Sequence, residues 1–231
     1  MANKQSKALK GAYEKIDREN NYTVAEAVKL LKETSTVKFD PTAEIHFSLG
    51  IDPKHADQQI RTTTSLPHGT GKTVRVVVFC GDDQVKAAKA AGAIEAGGTE
   101  LIEKVIQKGW TDFDVAVATP DMMKHLAKAA RVLGPKGLMP NPKAGTVTTD
   151  IEKTVTELVG GRLEFRNDKA GIIHTIFGKL SFGKDKLVEN LKAMITAIKA
   201  AKPTGQKGEY LKSVTLNSTM GAGIRLNIET L

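Results

Sequence analysis

The turn near the C-terminus, Asn217-Ser-Thr-Met-Gly-Ala-Gly223, contains residue types suited to contact with a polar ligand. Its serine and Thr219 carry hydroxyls that both donate and accept hydrogen bonds. Its two glycines, one of them Gly221, permit positive φ or the close approach of another backbone, and Met220 adds a flexible apolar side chain. An ordinary hairpin loop has a similar composition. The turn is therefore a candidate binding element that needs support from the rest of the chain.

A second candidate for chemistry is Gly69-Thr-Gly-Lys-Thr73, which is similar to the end of a phosphate-binding loop. The first glycine of such a loop would fall at Leu66, which cannot replace it. The residues that follow are apolar and predict a strand, whereas the motif requires a helix at that point. The sequence therefore argues against a nucleoside triphosphate site here.

Other catalytic and metal-binding patterns are also incomplete. Gly81 follows an apolar run but precedes two aspartates, which would repel the pyrophosphate of a dinucleotide. The only cysteine, Cys80, ends that run and is interpreted as a small buried side chain, so no disulfide can form within the chain. The five histidines lack the spacing of metal ligands: His46, His55, His68, His125 and His174. We expect no enzyme, no metal site and no cofactor.

Charge favours a polyanionic partner. The 231 residues include 34 Lys and Arg against 26 Asp and Glu, which gives a net charge of +8. The N-terminus is basic but leads into no apolar segment of a signal peptide, and no apolar run is long enough to span a membrane. We therefore expect a cytoplasmic protein. A soluble basic protein without a nucleic-acid partner remains the alternative.

The elements that must position these residues follow two different patterns. Toward the N-terminus, Thr23 and Glu26 form a capping box before an amphipathic helix, and residues 1–19 are either a surface helix or partly disordered. Residues 43–50 alternate apolar and polar side chains, with Glu44, His46 and Ser48 on the polar side. This pattern predicts a strand with one solvated face, and residues 60–66 predict another.

The middle of the chain predicts a parallel sheet. Residues 74–80, 93–96 and 114–119 are strand candidates, and a helix is expected after each one. The last of these helices should run from Pro120 to Leu133. Residues 134–146 contain three prolines and three glycines, which exclude helix and strand and predict an exposed loop.

The C-terminal part returns to the antiparallel pattern. A helix that Asp150 can cap ends at Gly160-Gly161, and residues 162–165 and 172–177 are expected to form a hairpin around the turn 166–171. An amphipathic helix follows and closes at Lys202-Pro203. Two strands flank the candidate binding turn described first.

The sequence therefore predicts an α/β protein of two domains. Residues 1–67 and 161–231 form a discontinuous α+β outer domain with an antiparallel sheet, and residues 68–160 form an inserted α/β domain with a parallel sheet. Of the 34 basic and 26 acidic side chains, 12 and 11 lie in 68–160, which leaves 22 and 15 in the outer domain. Hinge residues are expected at the two breakpoints: Pro67, His68, Gly69, Gly160 and Gly161.

Five stretches resemble one known family, the bacterial form of the large-subunit ribosomal protein L1, and the resemblance covers essentially the whole chain. They are Val37-Lys-Phe-Asp-Pro-Thr-Ala-Glu-Ile-His46, Ser65-Leu-Pro-His-Gly-Thr-Gly-Lys72, Gly134-Pro-Lys-Gly-Leu-Met-Pro-Asn-Pro-Lys-Ala-Gly-Thr146, Gly161-Arg-Leu-Glu-Phe-Arg-Asn-Asp-Lys169 and Ser218-Thr-Met-Gly221. Where the family often has proline after the Thr-Met-Gly triplet, this chain has Ala222, which loosens the turn.

The resemblance implies an architecture and several partners. It implies that the inserted domain is Rossmann-like, with three layers, and that the outer domain holds large-subunit ribosomal RNA. It also implies a monomer in the mobile lateral stalk, which contacts deacylated tRNA at the exit site and helps it leave. Members of the family further repress translation by binding the messenger RNA of their own operon, at a site resembling the ribosomal one.

Carried over residue by residue, the RNA-binding surface would comprise Lys38, Phe39, Thr42, Glu44, Asp168, Lys169, His174, Ser213, Thr219, Met220 and Gly221. The lysines can neutralise phosphates, whereas the hydroxyls and carboxylates suit ribose 2′-OH groups and base edges. The alternative for Glu44 and Asp168 is a brace within the protein, because phosphates repel carboxylates. Lys136 and Lys143 are candidates for a second, weaker RNA contact, with solubility as the alternative.

Two classes of function follow from the sequence. The first is a non-catalytic, ribosome-associated RNA-binding protein of the cytoplasm that doubles as a translational repressor. The alternative is a nucleotide-dependent α/β enzyme that uses the inserted domain. A membrane-surface protein is the least favoured reading, because no amphipathic segment carries bulky aromatic anchors.

Overall fold

In the computed structural model, which describes residues 7–17, 19–206 and 208–228, the backbone divides into two units. The first comprises Met1–Gly71 and Phe165–Leu231, and the second comprises Lys72–Glu164. The chain therefore leaves the first unit and returns to it. The boundaries fall at 71/72 and 164/165, whereas the sequence suggested 67/68 and 160/161.

The first unit contains three helices and six strands among the described residues. The helices are α1 (Lys7–Glu14), α2 (Val24–Glu33) and α8 (Lys184–Ala200). The strands are β1 (Thr42–Leu49), β2 (Arg61–Ser65), β6 (Arg162–Arg166), which begins in the second unit, β7 (Ile172–Lys179), β8 (Leu211–Ser218) and β9 (Ile224–Arg225). Residues 1–6 of the predicted N-terminal helix lie outside the described part.

Four of these strands form an antiparallel sheet in the order β7-β1-β8-β9. Burial alternates strictly along β1, with Ile45 and Phe47 fully buried and their neighbours partly exposed. Because successive side chains of a strand point to opposite faces, one face of the sheet is apolar and the other polar. The predicted antiparallel sheet with one solvated face is confirmed.

Helices α2 and α8 cover the apolar face. Leu31 of α2 and Leu191 of α8 are completely buried, and both helices pack on strands of the sheet. Helix α2 begins at the predicted capping box, where the Glu26 carboxylate accepts hydrogen bonds from the backbone N–H and the hydroxyl of Thr23. The polar face lies on the opposite side of the sheet from these helices.

The predicted hairpin of residues 162–177 is wrong. Strand β6 pairs with β2, and β7 joins the four-stranded sheet, so a single bridge between Asn167 and Ile173 is what remains of the hairpin. The buried Asn167 side chain contributes to this pairing, because its Oδ1 accepts the backbone N–H of Ile60 at 2.8 Å and ties this end of β6 to the start of β2. The chain then bends at Asp168 and β7 continues in another direction.

The second unit is built around a parallel sheet in the order β4-β3-β5. Its strands are β3 (Val76–Phe79), β4 (Glu95–Gly97) and β5 (Val115–Ala118), and its helices are α3 (Asp82–Ala90), α4 (Thr99–Lys108), α5 (Met123–Leu126), α6 (Ala130–Leu133) and α7 (Ile151–Val159). Val77 and Phe79 face one apolar cluster with α4, and Val76 and Val78 face another with α7. Helices therefore cover both faces, and the predicted mixed α/β class with its parallel sheet is confirmed.

Two segments of this unit differ from the sequence prediction. The expected helix from Pro120 to Leu133 is two short helices joined by a 3₁₀ turn at Ala127–Ala129, a tightening that aligns the buried Leu126 with the buried Ala129. The expected exposed loop 134–146 is partly buried. Its Ala144 and Thr146 are 3% and 8% exposed, because Asn141 and Thr146 hydrogen-bond across the loop and fold it back on the unit.

The excess positive charge belongs to the first unit. Within the observed boundaries, the second unit holds 13 of the 34 basic and 12 of the 26 acidic side chains, which leaves 21 and 14 in the first. The net charges are therefore +1 and +7. A polyanionic partner is attracted mainly to the first unit.

Candidate nucleic-acid interface

The polar face of the four-stranded sheet, called the open face here, collects side chains from all four strands. Strand register arranges them in rows. Its members are Thr42, Glu44, His46 and Ser48 of β1, Ile172, His174 and Ile176 of β7, Ser213, Thr215 and Asn217 of β8, and Arg225 of β9. Hydroxyls, imidazoles, one carboxylate and one guanidinium dominate. This composition suits hydrogen bonding to a polar, anionic partner.

One end of the open face is closed by two threonines. The backbone N–H of Thr42 donates to Thr219 Oγ1 at 3.1 Å, and the backbone N–H of Thr219 donates to the Thr42 carbonyl oxygen at 3.1 Å. Lys179 Nζ donates to Thr42 Oγ1 at 2.9 Å. Both hydroxyls, which the sequence assigned to RNA, therefore already have partners within the protein and hold β1 to the turn after β8.

That turn presents Met220 to solvent. Met220 is 77% exposed and has φ of 62°, a left-handed conformation that is uncommon for a residue with a side chain. The next residue must be small, since a Cβ at Gly221 would lie 2.1 Å from Ser218 Oγ and 3.0 Å from the Ser218 carbonyl oxygen. The turn is therefore shaped to project one long apolar side chain outward.

Phe39 and Lys38 lie just before β1, and both are exposed. Phe39 is 54% exposed, although aromatic side chains are normally buried. The neighbouring Asp40 carboxylate accepts the backbone N–H and the hydroxyl of Ser181, which fixes the segment to the end of β7. Phe39 and Met220 are thus two exposed apolar side chains that flank the Thr42 end of the sheet.

At the opposite end of β1, Asp168 organises the turn that leads into β7. Its Oδ1 accepts the backbone N–H groups of Ile172 at 2.7 Å and Ala170 at 2.8 Å. The bond from Ile172, together with that from Ala170 and the nearby His174, lowers the pKa of Asp168. The carboxylate therefore acts as a brace and stays ionised, whereas the adjacent Lys169 is exposed and available.

Two histidines meet in the middle of the open face. His46 and His174 are paired across β1 and β7, with 2.9 Å between their Nδ1 atoms. The Asp168 Oδ2 atom lies 3.7 Å from His174 Nε2. Burial and the neighbouring His174 lower the pKa of His46, while Glu44 acts in the opposite direction. His46 is therefore neutral at physiological pH.

The predicted RNA-binding residues thus occupy two ends of one face. Thr42, Glu44, Thr219, Met220 and Gly221 lie at one end, and Asp168, Lys169 and Ser213 at the other, with Ser213 opposite Ser48 in the register. His174 lies between them. The sequence reading passed over His46, Thr215 and Arg225, which share the face. The alternation of residues 43–50 carried the signal for His46, because it placed His46 on the same side as Glu44.

The remaining predicted residues have other surroundings. Lys136 is exposed and hydrogen-bonds to Thr111, and the Lys143 side chain lies outside the described part. The turn at Pro67–Gly69 is held by the buried Asn190, which accepts the N–H of His68 and donates to the Gly69 carbonyl oxygen. Gly160 and Gly161 lie within the second unit. The boundaries between the units, at 71/72 and 164/165, lie a few residues from the predicted hinge residues, which stay a prediction.

The enzyme-like motifs gain no support from the structure. Lys72 of the glycine-rich stretch is paired with Asp114 at 2.9 Å, and the chain continues into β3 and not into a helix. Among the described residues, no group of three or more His, Cys, Asp or Glu side chains is arranged to hold a metal ion. No described helix has the length and hydrophobicity needed to cross a bilayer.

Comparison with known proteins identifies relatives along nearly the whole chain. The model of the ribosomal protein L1p/L10e family matches residues 31–222. The large ribosomal subunit protein uL1 of Chloroflexus aggregans is 54% identical over 227 residues, which cover 97% of this chain and 96% of the relative. The protein of the same name from Mycobacteroides abscessus is 54% identical over 224 residues, which cover 97% of this chain and 95% of that relative. The one from Thermobifida fusca is 53% identical over 221 residues, which cover 96% of this chain and 94% of that relative.

Proposed function

Because this chain belongs to the ribosomal protein L1 family, whose members are structural proteins of the large ribosomal subunit and not enzymes, we propose that its open face binds large-subunit ribosomal RNA. Membership also places the protein on the ribosome, in the cytoplasm. The observation that carries the proposal is the pair of exposed apolar side chains, Phe39 and Met220, at the end of a polar face in the cationic unit.

These residue types suit the parts of RNA that distinguish it from other polyanions. An exposed aromatic ring such as Phe39 stacks on an unpaired base, and Met220 packs on a base or a sugar. Lys38 and Lys169 neutralise phosphates without reading sequence. Ser213 is exposed, and Glu44 keeps one oxygen that does not accept from Thr219, so both can bond ribose 2′-OH groups. Thr42, Thr219 and Asp168 contribute by holding this surface in shape.

We further propose that the two units act as separate domains of a lateral stalk that contacts deacylated tRNA at the exit site. Family membership is the support for this step. The segments near residues 71–72 and 164–165, where the chain passes between the units, are candidate hinges beside the predicted ones at 67–69 and 160–161. If the units move relative to each other, the distance between one dye on each unit should change when exit-site tRNA binds. Single-molecule fluorescence on assembled ribosomes, with and without that tRNA, measures this distance.

A repressor of its own operon needs a surface that can bind messenger RNA as well as ribosomal RNA. We propose that the messenger RNA of the protein's own operon occupies the same open face as ribosomal RNA. Binding is then mutually exclusive, so free ribosomal RNA relieves repression. A competition titration tests this step, because unlabelled leader RNA should displace labelled ribosomal RNA completely and to the same extent as unlabelled ribosomal RNA. Simultaneous binding of both RNAs would contradict it.

The central experiment is a titration of labelled ribosomal RNA at several salt concentrations. Replacing both Phe39 and Met220 by alanine should weaken binding by roughly 30-fold or more, since base stacking contributes about 1–3 kcal/mol per contact and two contacts are lost. The matched control is Ile94→Ala, which removes an apolar side chain of similar exposure (52%) from the second unit. Unchanged affinity of the double variant would exclude this site.

A further inference from the structure

A row of four side chains crosses the middle of the open face from one edge strand to the other. His174 of β7 pairs with His46 of β1, His46 pairs with Thr215 of β8, and Thr215 pairs with Arg225 of β9. We infer that His46, Thr215 and Arg225 bind one backbone phosphate of the RNA, and that His174 and Asp168 position His46. The inference rests on the proposed function and assigns a phosphate to residues beyond those predicted from the sequence.

The order of charges along the face selects this row for the phosphate. The neighbouring row contains Glu44 between Ile176 and Asn217, and a carboxylate there repels an anion. The row on the other side, Ile172, Ser48 and Ser213, carries hydroxyls without charge. Among the described residues of the face, the guanidinium of Arg225 and the two imidazoles therefore concentrate positive or protonatable groups in one row.

The spacing of the strands allows one phosphate to be shared. Neighbouring strands lie about 4.8 Å apart, so His46 and Arg225 are separated by roughly 10 Å, with Thr215 between them. The long side chain of Arg225 is exposed and can extend toward the hydroxyl of Thr215. A phosphate above Thr215 is then within reach of a guanidinium, a hydroxyl and an imidazole, which are common phosphate-binding groups.

Proton counting explains the roles of His174 and Asp168. Two Nδ1 atoms approach to 2.9 Å when one carries a proton and the other offers its lone pair. The Asp168 carboxylate favours a proton on His174 Nε2, at 3.7 Å. When His174 carries protons on both ring nitrogens it is a cation that donates from Nδ1, so His46 accepts at Nδ1 and carries its own proton on Nε2. This tautomer leaves His46 with a hydrogen-bond donor for the phosphate.

The same pair makes binding depend on pH. Asp168 of the turn and Glu44 of β1 act on the pair, its neighbour on β8, Thr215, is uncharged, and Arg225 of β9 lies one strand beyond Thr215. The pair is neutral with two protons and becomes cationic with a third. A bound phosphate favours the cation, because the positive charge lies beside the anion. Affinity should therefore increase as pH falls from 8 to 6 and decrease as pH rises again.

A groove beside Arg225 gives the RNA backbone room to continue. It has a volume of about 520 Å³ and is lined by Lys212, Ser213 and Arg225 among others. One acid, Glu209, also lines it, so its basic side chains are in excess. Of the proposed phosphate-binding residues, Arg225 lines the groove, together with Ser213, which the sequence already assigned to RNA.

The experiment measures binding of the labelled ribosomal RNA fragment to full-length variants. Arg225→Ala should weaken binding about tenfold and reduce the slope of log affinity against log salt by roughly one. Lys192→Ala is the matched control, because it removes the same charge from α8 on the covered side of the sheet. His46→Gln should remove the gain in wild-type affinity between pH 8 and pH 6.

A double-mutant cycle separates positioning from general structural damage. His174→Gln should weaken binding several-fold, and the further loss caused by His46→Ala should then be smaller than in the wild-type background, because the two residues act as one unit. Urea unfolding of each variant identifies those that fail to fold. Additive losses from His46 and His174 would overturn the positioning role.

Interference mapping then locates the phosphate. In a set of RNA fragments, each has one phosphate replaced by an uncharged methylphosphonate. At one position this replacement should weaken binding by the wild-type protein but not by Arg225→Ala.

If wild type binds no RNA, the proposed function fails. If wild type binds and the Phe39 and Met220 variant is weakened, but the Arg225 and His46 variants bind normally, the phosphate site alone is overturned.

Discussion

Met220 combines two unfavourable features, exposure of a large apolar side chain and a left-handed backbone. A non-glycine residue in this region costs of order 1–3 kcal/mol, which persists only where the surrounding structure imposes it. Here the two backbone and side-chain hydrogen bonds between Thr42 and Thr219, together with the tight packing of Gly221, impose the turn. We interpret the strain as the cost of projecting a methionine toward RNA.

The first prediction concerns this strain. Met220→Gly should increase the free energy of unfolding by about 1 kcal/mol, because glycine adopts positive φ freely, and should weaken RNA binding at the same time. Met220→Ala keeps the strain and should weaken RNA binding without the gain in stability. Urea denaturation and the RNA titration measure both effects. A loss of stability in Met220→Gly would contradict the interpretation.

The second prediction concerns Asp114 in the second unit. Hydrogen bonds from Arg75 and Lys72 hold the pKa of Asp114 well below its ordinary value. A depressed pKa contributes stability that is present above the ordinary pKa and lost as pH falls toward the folded-state value. The free energy of unfolding should therefore drop between about pH 5 and pH 2, and this drop should be smaller in Asp114→Asn.

The cost of the same substitution at neutral pH should be modest. The partners Arg75 and Lys72 are half exposed or more, so water and salt screen the pair. Asp114→Asn should lower the free energy of unfolding by about 1 kcal/mol at pH 7. Urea unfolding as a function of pH measures both quantities, with Asp112→Asn as the neighbouring control.

At the level of residues, the sequence predicted which side chains lie on or beside the open face better than it predicted which of them are free to contact RNA. Phe39 and Met220 are exposed, as a binding role requires, and lie at one end of one face. Thr219 and Asp168 lie on that surface too, but their oxygens are engaged within the protein. Hydrogen bonds between residues 42 and 219 depend on strand pairing over long distances in sequence, which local patterns do not contain.

At the level of elements, local signals were reliable where the decisive interaction is local. The capping box of α2 and the alternation along β1 depend on neighbours within one element, and both are present. The hairpin at 162–177 failed because a strand chooses its partner by non-local packing. The Asn167 side chain bonds to Ile60, over 100 residues earlier in the chain, and nothing in the spacing of residues 162–177 indicates that contact.

The third prediction belongs to helix α8 and the segment it holds. Asn190 is completely buried, accepts the N–H of His68, and donates to the carbonyl oxygens of Gly69 and Phe177. Asn190→Ala should lower the free energy of unfolding by about 2–4 kcal/mol, because it leaves buried backbone groups without partners. Glu189→Ala, at the exposed neighbouring position, should cost less than about 1 kcal/mol. Thermal and urea unfolding compare the two.

At the level of the whole molecule, the separation of charge was predictable because it is a property of composition. The first unit retains its excess of basic side chains wherever the boundaries are drawn within a few residues. The positions of the boundaries were less predictable. Glycines and prolines mark turns, but Gly160 and Gly161 end α7 within the second unit, and the turn near Gly69 is fastened by Asn190.

The fourth prediction tests this division directly. A chain in which residues 72–164 are replaced by a short Gly/Ser linker should still bind the ribosomal RNA fragment, with affinity within about tenfold of the full chain, since the open face lies in the first unit. The reciprocal fragment, 72–164, should not bind it tightly. Far-UV circular dichroism establishes that each piece is folded. Tight binding by the reciprocal fragment alone would contradict the assignment of the site.

The central position of β1 has a consequence for protein synthesis. This strand is translated early, but its partners β7 and β8 begin at Ile172 and Leu211. A nascent chain therefore carries β1 without either neighbour while the second unit, whose strands lie between residues 76 and 118, can already fold. The four-stranded sheet, and with it the open face, is completed only when the last segment leaves the exit tunnel.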